Sequence, residues 1–76
     1  MQTFKIRVIN SDFESNNEIK AVSFEDARKQ GLRAALTIGV DEVCGGAHFF
    51  GAEVVVDGDG DDRERFMVGM GQSPLK

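Results

Sequence analysis

The chain has no tryptophan, no tyrosine, and only one cysteine, one histidine and one proline in 76 residues. A single cysteine excludes an intrachain disulfide. Small secreted domains usually depend on such staples, so a reducing, cytoplasmic setting is expected. One cysteine and one histidine also fall short of a four-ligand structural zinc site. No basic segment followed by an apolar core opens the chain, and no run of 18 apolar residues occurs. Neither a secretory leader nor a membrane span is expected. Positive charge is in deficit, with nine Lys and Arg against thirteen Asp and Glu, for a net charge of −4. That balance opposes generic binding to nucleic acid or an anionic membrane, which needs a basic footprint. Walker, GxGxxG and GxSxG patterns are absent, and Gly45-Gly46 alone is too little for a phosphate cradle.

What is present suits one small domain. A chain of this length buries roughly 60–65% of the surface its unfolded form exposes, so its stability should be modest. Thr3–Ile9 alternates Phe4, Ile6 and Val8 against Lys5 and Arg7, the period of a half-buried strand. Asn10–Asn17 is polar and reads as a loop, and Glu18–Val22 as a short return strand. Ser23 is a favoured N-cap, with Asp26 three residues on at the positive end of the helix dipole. At helical spacing Phe24, Ala27, Gly31, Ala35 and Ile38 share a face. The helix is therefore expected over about 23–38, with Gly39 as its left-handed stop. A mid-helix glycine costs about 1 kcal/mol against alanine, so Gly31 implies close approach to a sheet with large side chains. Val40–Ala47 reads as a connection, in which Asp41 and Glu42 start at most one extra turn.

Residues 48–70 give two further strands around the acidic, glycine-rich stretch Asp57–Asp62. Phe50, Ala52, Val54 and Val56 share one face of the first, and Phe66, Val68 and Met70 one face of the second. A one-residue slip inverts a strand, so both sets meet the helix only if the loop holds an odd number of residues. Three residues (58–60) or five (58–62) satisfy this. The three-residue form is the more familiar hairpin, with Gly60 left-handed and Arg65 across from Glu53. Ser73-Pro74 ends the last strand. The fold class expected is α+β: a two-layer β(β)αββ domain with one helix on a mostly antiparallel sheet of three or four strands.

Reactive constellations are scarce. Asp57, Asp59, Asp61 and Asp62 invite a calcium reading, but an EF-hand loop needs Gly at position 6 and Glu at position 12, where Asp62 and Val68 stand. Weak divalent-metal binding at this tip is kept as an alternative to a solvated turn. Cys44 and His48 could form a thiolate–imidazole pair, yet no third group is recognisable to orient them. No catalytic residue and no cofactor are assigned, and an enzyme is not expected.

The sheet face away from the helix is the more informative surface. It carries Lys5 and Arg7 on the first strand, Phe49, Glu53 and Val55 on the third, and Arg63, Arg65 and Met67 on the last. Phe49, Val55 and Met67 are apolar and would stand together in water. The expectation is an interaction or adaptor domain that self-associates as a homodimer through this open face, two sheets or two edges pairing with Arg and Glu at the rim. An unknown protein partner is the broader form of this reading. Single-stranded nucleic acid, stacked on Phe49 with Lys5, Arg7, Arg63 and Arg65 toward phosphates, is the less favoured alternative.

The helix opening Ser-Phe-Glu-Asp-Ala-Arg (23–28), the strand-to-turn Ala-Glu-Val-Val-Val-Asp-Gly-Asp-Gly (52–60), the strand Arg-Phe-Met-Val (65–68) and the Ser-Pro-Leu ending (73–75) carry a resemblance. With them the chain resembles small bacterial proteins made of a single domain of unknown function, with a β(β)αββ pattern and a D-x-D-G hairpin. The resemblance spans most of the chain and its motifs are structural. It implies the fold and brings no activity, cofactor or catalytic residue.

Overall fold

The computed structural model describes residues 1–75 and has the order β1 (Gln2–Ile9), β2 (Glu14–Ala21), α1 (Phe24–Cys44), β3 (Phe49–Asp57), β4 (Arg63–Gly71). The strands form one sheet in the order β2-β1-β3-β4, with every neighbouring pair antiparallel. One helix lies on one face, so the two-layer α+β class expected from the periodicities holds, with four strands. Phe4, Ile6 and Val8 from β1 and Phe50, Ala52, Val54 and Val56 from β3 form the sheet half of the core. Ala21, Ala27, Ala35 and Val68 complete its buried set.

The helix begins where the cap chemistry places it. The Ser23 side chain accepts from the Asp26 N–H at 3.1 Å, and the Asp26 carboxylate accepts from the Val22 N–H at 3.3 Å. One of the unpartnered N-terminal donors of the helix, the Asp26 N–H, thus finds a side-chain oxygen, and the Val22 N–H just before the cap finds another. Phe24 meets Phe4 edge-on, with ring centres 5.9 Å apart, which ties the first turn to β1.

The helix does not stop at Gly39. It runs to Cys44, absorbing the expected 40–47 connection. Gly39 is buried, and a Cβ placed there would come within 2.9 Å of Phe50 Cδ2 and 3.1 Å of Met70 Sδ. Glycine serves close packing here and not termination. Gly31 behaves as expected, with Val54 Cγ1 only 3.1 Å from where its Cβ would sit. The true stop is about two turns later. The Gly46 N–H donates to the Val43 carbonyl and the Ala47 N–H to the Glu42 carbonyl, each at 3.1 Å, with Gly46 at φ 113°. This is the Schellman arrangement, which satisfies the last carbonyls through a left-handed residue.

β2 is also longer than the expected 18–22. Residues 14–17 pair with β1, and the connection shrinks to a tight turn in which Asn10 Oδ1 accepts from the Asp12 and Phe13 N–H groups at 2.8 and 3.1 Å. Glu14, Ser15, Asn16 and Asn17 carry no apolar alternation. They are strand because β1 offers them a backbone ladder. The β3–β4 loop holds five residues, with Asp57 opposite Arg63. The Gly58 N–H donates to the Asp62 carbonyl at 2.8 Å and Gly60 is left-handed at φ 71°. The three-residue alternative would put Asp57 against Asp61, and like charges directly opposite destabilise a pair. Arg65 therefore stands opposite Val55, and Glu53 opposite Met67.

Candidate interaction surface

The pairing registers arrange the open face in rows across the sheet. Glu18, Lys5, Asp57 and Arg63 form one, Asn16, Arg7, Val55 and Arg65 the next, and Glu14, Ile9, Glu53 and Met67 a third. Arg7 pairs with Glu14 at 3.2 Å and Arg63 with Asp57 at 3.3 Å, while Arg65 pairs diagonally with Glu53. Lys5 lies between Glu18 and Asp57 in its row. Exposed pairs of this kind contribute at most about 1 kcal/mol each. Their larger effect here is to cancel the positive field that a phosphate backbone would need.

Val55 does not join an exposed apolar set. It is only 2% exposed although it lies on the open face. Arg7 and Arg65 flank it in the row, and long arginine stems cover apolar neighbours while their heads reach water. Phe49 and Met67 remain, at 70% and 73% exposed. Phe49 sits over bare backbone. A Cβ at Gly51, Gly69 or Gly71 would come within 2.8, 3.5 or 3.6 Å of its ring. Three glycines on one face, on two strands, thus form the floor for one aromatic ring whose other side meets solvent. An open depression of about 540 Å³ runs beside it, and its charged lining is Asp12, Glu42 and Glu53. An acidic rim of this sort disfavours phosphate next to the stacking platform.

The other sequence candidates are scattered. Asp57 faces Arg63, while Asp59, Asp61 and Asp62 stand exposed on the loop. Among the described residues no group of three or more His, Cys, Asp or Glu side chains gathers in metal-holding geometry. Cys44 ends the helix and His48 precedes β3, both exposed, so no desolvated pocket surrounds either. Among the described residues no helix is long and apolar enough to cross a membrane.

The sequence leaves open which sheet edge is free, and the strand order makes β4 one of the two. On the helix side it presents Glu64, Phe66, Val68 and Met70, with Phe66 and Met70 half-buried. Arg28 bridges helix and edge here. Its Nε donates to Glu64 at 2.7 Å, and its guanidinium lies 4.4 Å from the centre of the Phe66 ring. Leu32, one turn on from Arg28, and Leu36, one turn further, are half-buried beside it. Gln72 fastens the end of the strand by donating to the carbonyls of Val43 and Ala47 at 2.8 and 3.0 Å. The signal in the sequence is the apolar run Phe66-Met67-Val68 followed by glycines. Comparison with known proteins brought no match: neither a family model, nor a curated relative, nor a solved structure aligns significantly with this chain.

Proposed function

We propose that this chain is a non-enzymatic interaction module that works as a homodimer, formed by adding a second copy to the β4 edge. The observation that carries this reading is the contrast in chemistry between β4 and the opposite edge. An unpaired strand edge is a template for another strand, and proteins that must stay single blunt it with charge, proline or cover. β4 has no proline and keeps its charges to Arg63, Glu64 and Arg65 at one end, so that 66–71 is an uncharged edge next to half-buried Phe66, Met70, Leu32 and Leu36. Face-to-face packing of two open sheets is less well supported, because Val55 is already covered and Phe49 and Met67 alone remain as large exposed apolar side chains on that face. A 76-residue domain has little core of its own, and a partner edge adds buried apolar area. Light scattering over a concentration series should give twice the 8.3 kDa chain mass, falling to the monomer for Met67→Lys, which sets two lysines against each other at the middle of the edge. A wild-type mass of one chain at every concentration would end the proposal.

A further inference from the structure

Resting on the homodimer reading, we infer that two β4 strands pair antiparallel about a two-fold axis at Met67, and that Arg63 and Arg65 of each copy close over Phe49 of the other. Two constraints select this register. Helices must stay on one side, so residues of the same facing must be opposite, which leaves only registers whose paired numbers sum to an even value. β4 spans Arg63–Gly71, and its middle residue is Met67. Centring on Met67 pairs the whole strand, whereas centring on Phe66 or Val68 leaves residues at one end without partners.

The side chains are complementary in this register. Arg63 comes opposite the partner's Gly71, and Arg65 opposite the partner's Gly69. Each long cationic side chain meets a residue that has none. The two glycines are part of the floor under the Phe49 ring, so the incoming guanidinium groups arrive beside an aromatic face that is otherwise in solvent. A cation within about 6 Å of a ring centre is attracted to it, and arginine is the cation most often used. On the helix side Phe66 comes opposite the partner's Val68, and Glu64 opposite the partner's Met70. The arginines of the two copies fall at opposite ends of the ladder and do not repel. One arrangement thereby accounts for three separate oddities: outward glycines in an edge strand, an aromatic ring exposed above them, and an exposed methionine at the strand's centre.

Directly opposite residues of an antiparallel pair have Cα atoms about 4.5–5.5 Å apart, inside the range a disulfide spans. In a Cys44→Ser background, Met67→Cys should therefore oxidise to a covalent dimer under mild oxidised glutathione. Arg65→Cys and Gly69→Cys should each stay uncrosslinked alone and crosslink when the two chains are mixed. Phe49→Leu should weaken dimerisation at least about tenfold, because both rings of the dimer lose the arginines that close over them. A dimer by light scattering that crosslinks through other pairs overturns the register and leaves the homodimer standing. A dimer of unchanged affinity in Phe49→Leu overturns the arginine contact. A wild-type monomer overturns both the register and the reading beneath it.

Discussion

β2 and β4 hold equivalent places, one at each edge of the same sheet, and their chemistry is opposite. β2 reads Glu-Ser-Asn-Asn-Glu-Ile-Lys-Ala, so that even its helix side carries Ser15 and Asn17. β4 reads Arg-Glu-Arg-Phe-Met-Val-Gly-Met-Gly, with charge confined to its first three residues. The helix shares the bias. Where it nears β3 and β4, Gly39 leaves no room for a Cβ against Phe50 and Met70. Toward β2 its link is polar, with Gln30 Nε2 donating to the Lys20 carbonyl at 3.4 Å. In the homodimer proposed above, this difference is what leaves one edge finished and the other to be completed. A sheet with two sticky edges would grow without limit, since head-to-tail contacts that do not close make filaments.

The largest effect should come from erasing the contrast. Ser15→Val with Asn17→Val makes the helix side of β2 resemble that of β4, and species larger than a dimer should then appear by light scattering. A mass distribution identical to wild type would show that polarity is not what finishes this edge. Next in size is packing. Gly39→Leu should cost about 1–3 kcal/mol by overpacking against Phe50 and Met70, visible as a melting temperature lower by roughly 4–8 °C per kcal/mol. Ala34→Leu, at a half-buried position one turn beyond Gln30 on the β2 side, should cost less than Gly39→Leu. Equal losses from the two would mean the helix is seated symmetrically. The smallest of the clear effects is Arg28→Ala, which removes the Glu64 pair and the Phe66 contact for about 1 kcal/mol in chemical denaturation.

Much of the scaffold was legible because it follows from local rules. Ser23 announced the helix, alternation announced β1 and β3, and parity alone excluded an even loop. Opposing charges could have gone further, since only the five-residue loop sets Arg63 against Asp57. Gly39 misled because glycine has two uses that look alike in one dimension, stopping a helix and letting it press against a sheet. The spacing Leu36, Val40, Val43, which runs across it, was the sign that the helix continued. The first half of β2 left no trace, because its strand conformation comes from the β1 backbone and its side chains are indifferent to it. On the candidate surface, the outward positions of Lys5, Arg7, Phe49, Glu53, Arg63, Arg65 and Met67 were readable from period two. The burial of Val55 was not, because it depends on which arginines the register places at its sides. The importance of the β4 edge required the strand order, which no periodicity contains.

The Schellman turn at Gly45-Gly46 divides the chain between its two central strands. β1 lies before it and β3 after it, yet Lys5–Ile9 pairs with Glu53–Asp57 in the middle of the sheet. Opening the backbone at this turn would give one fragment holding β1, β2 and α1 and another holding the β3–β4 hairpin. Each would carry half of the core and one bare central strand, Ile6 and Val8 on one side and Val54 and Val56 on the other. Such halves have their strongest apolar surface only for each other, which makes this small domain a natural frame for fragment complementation.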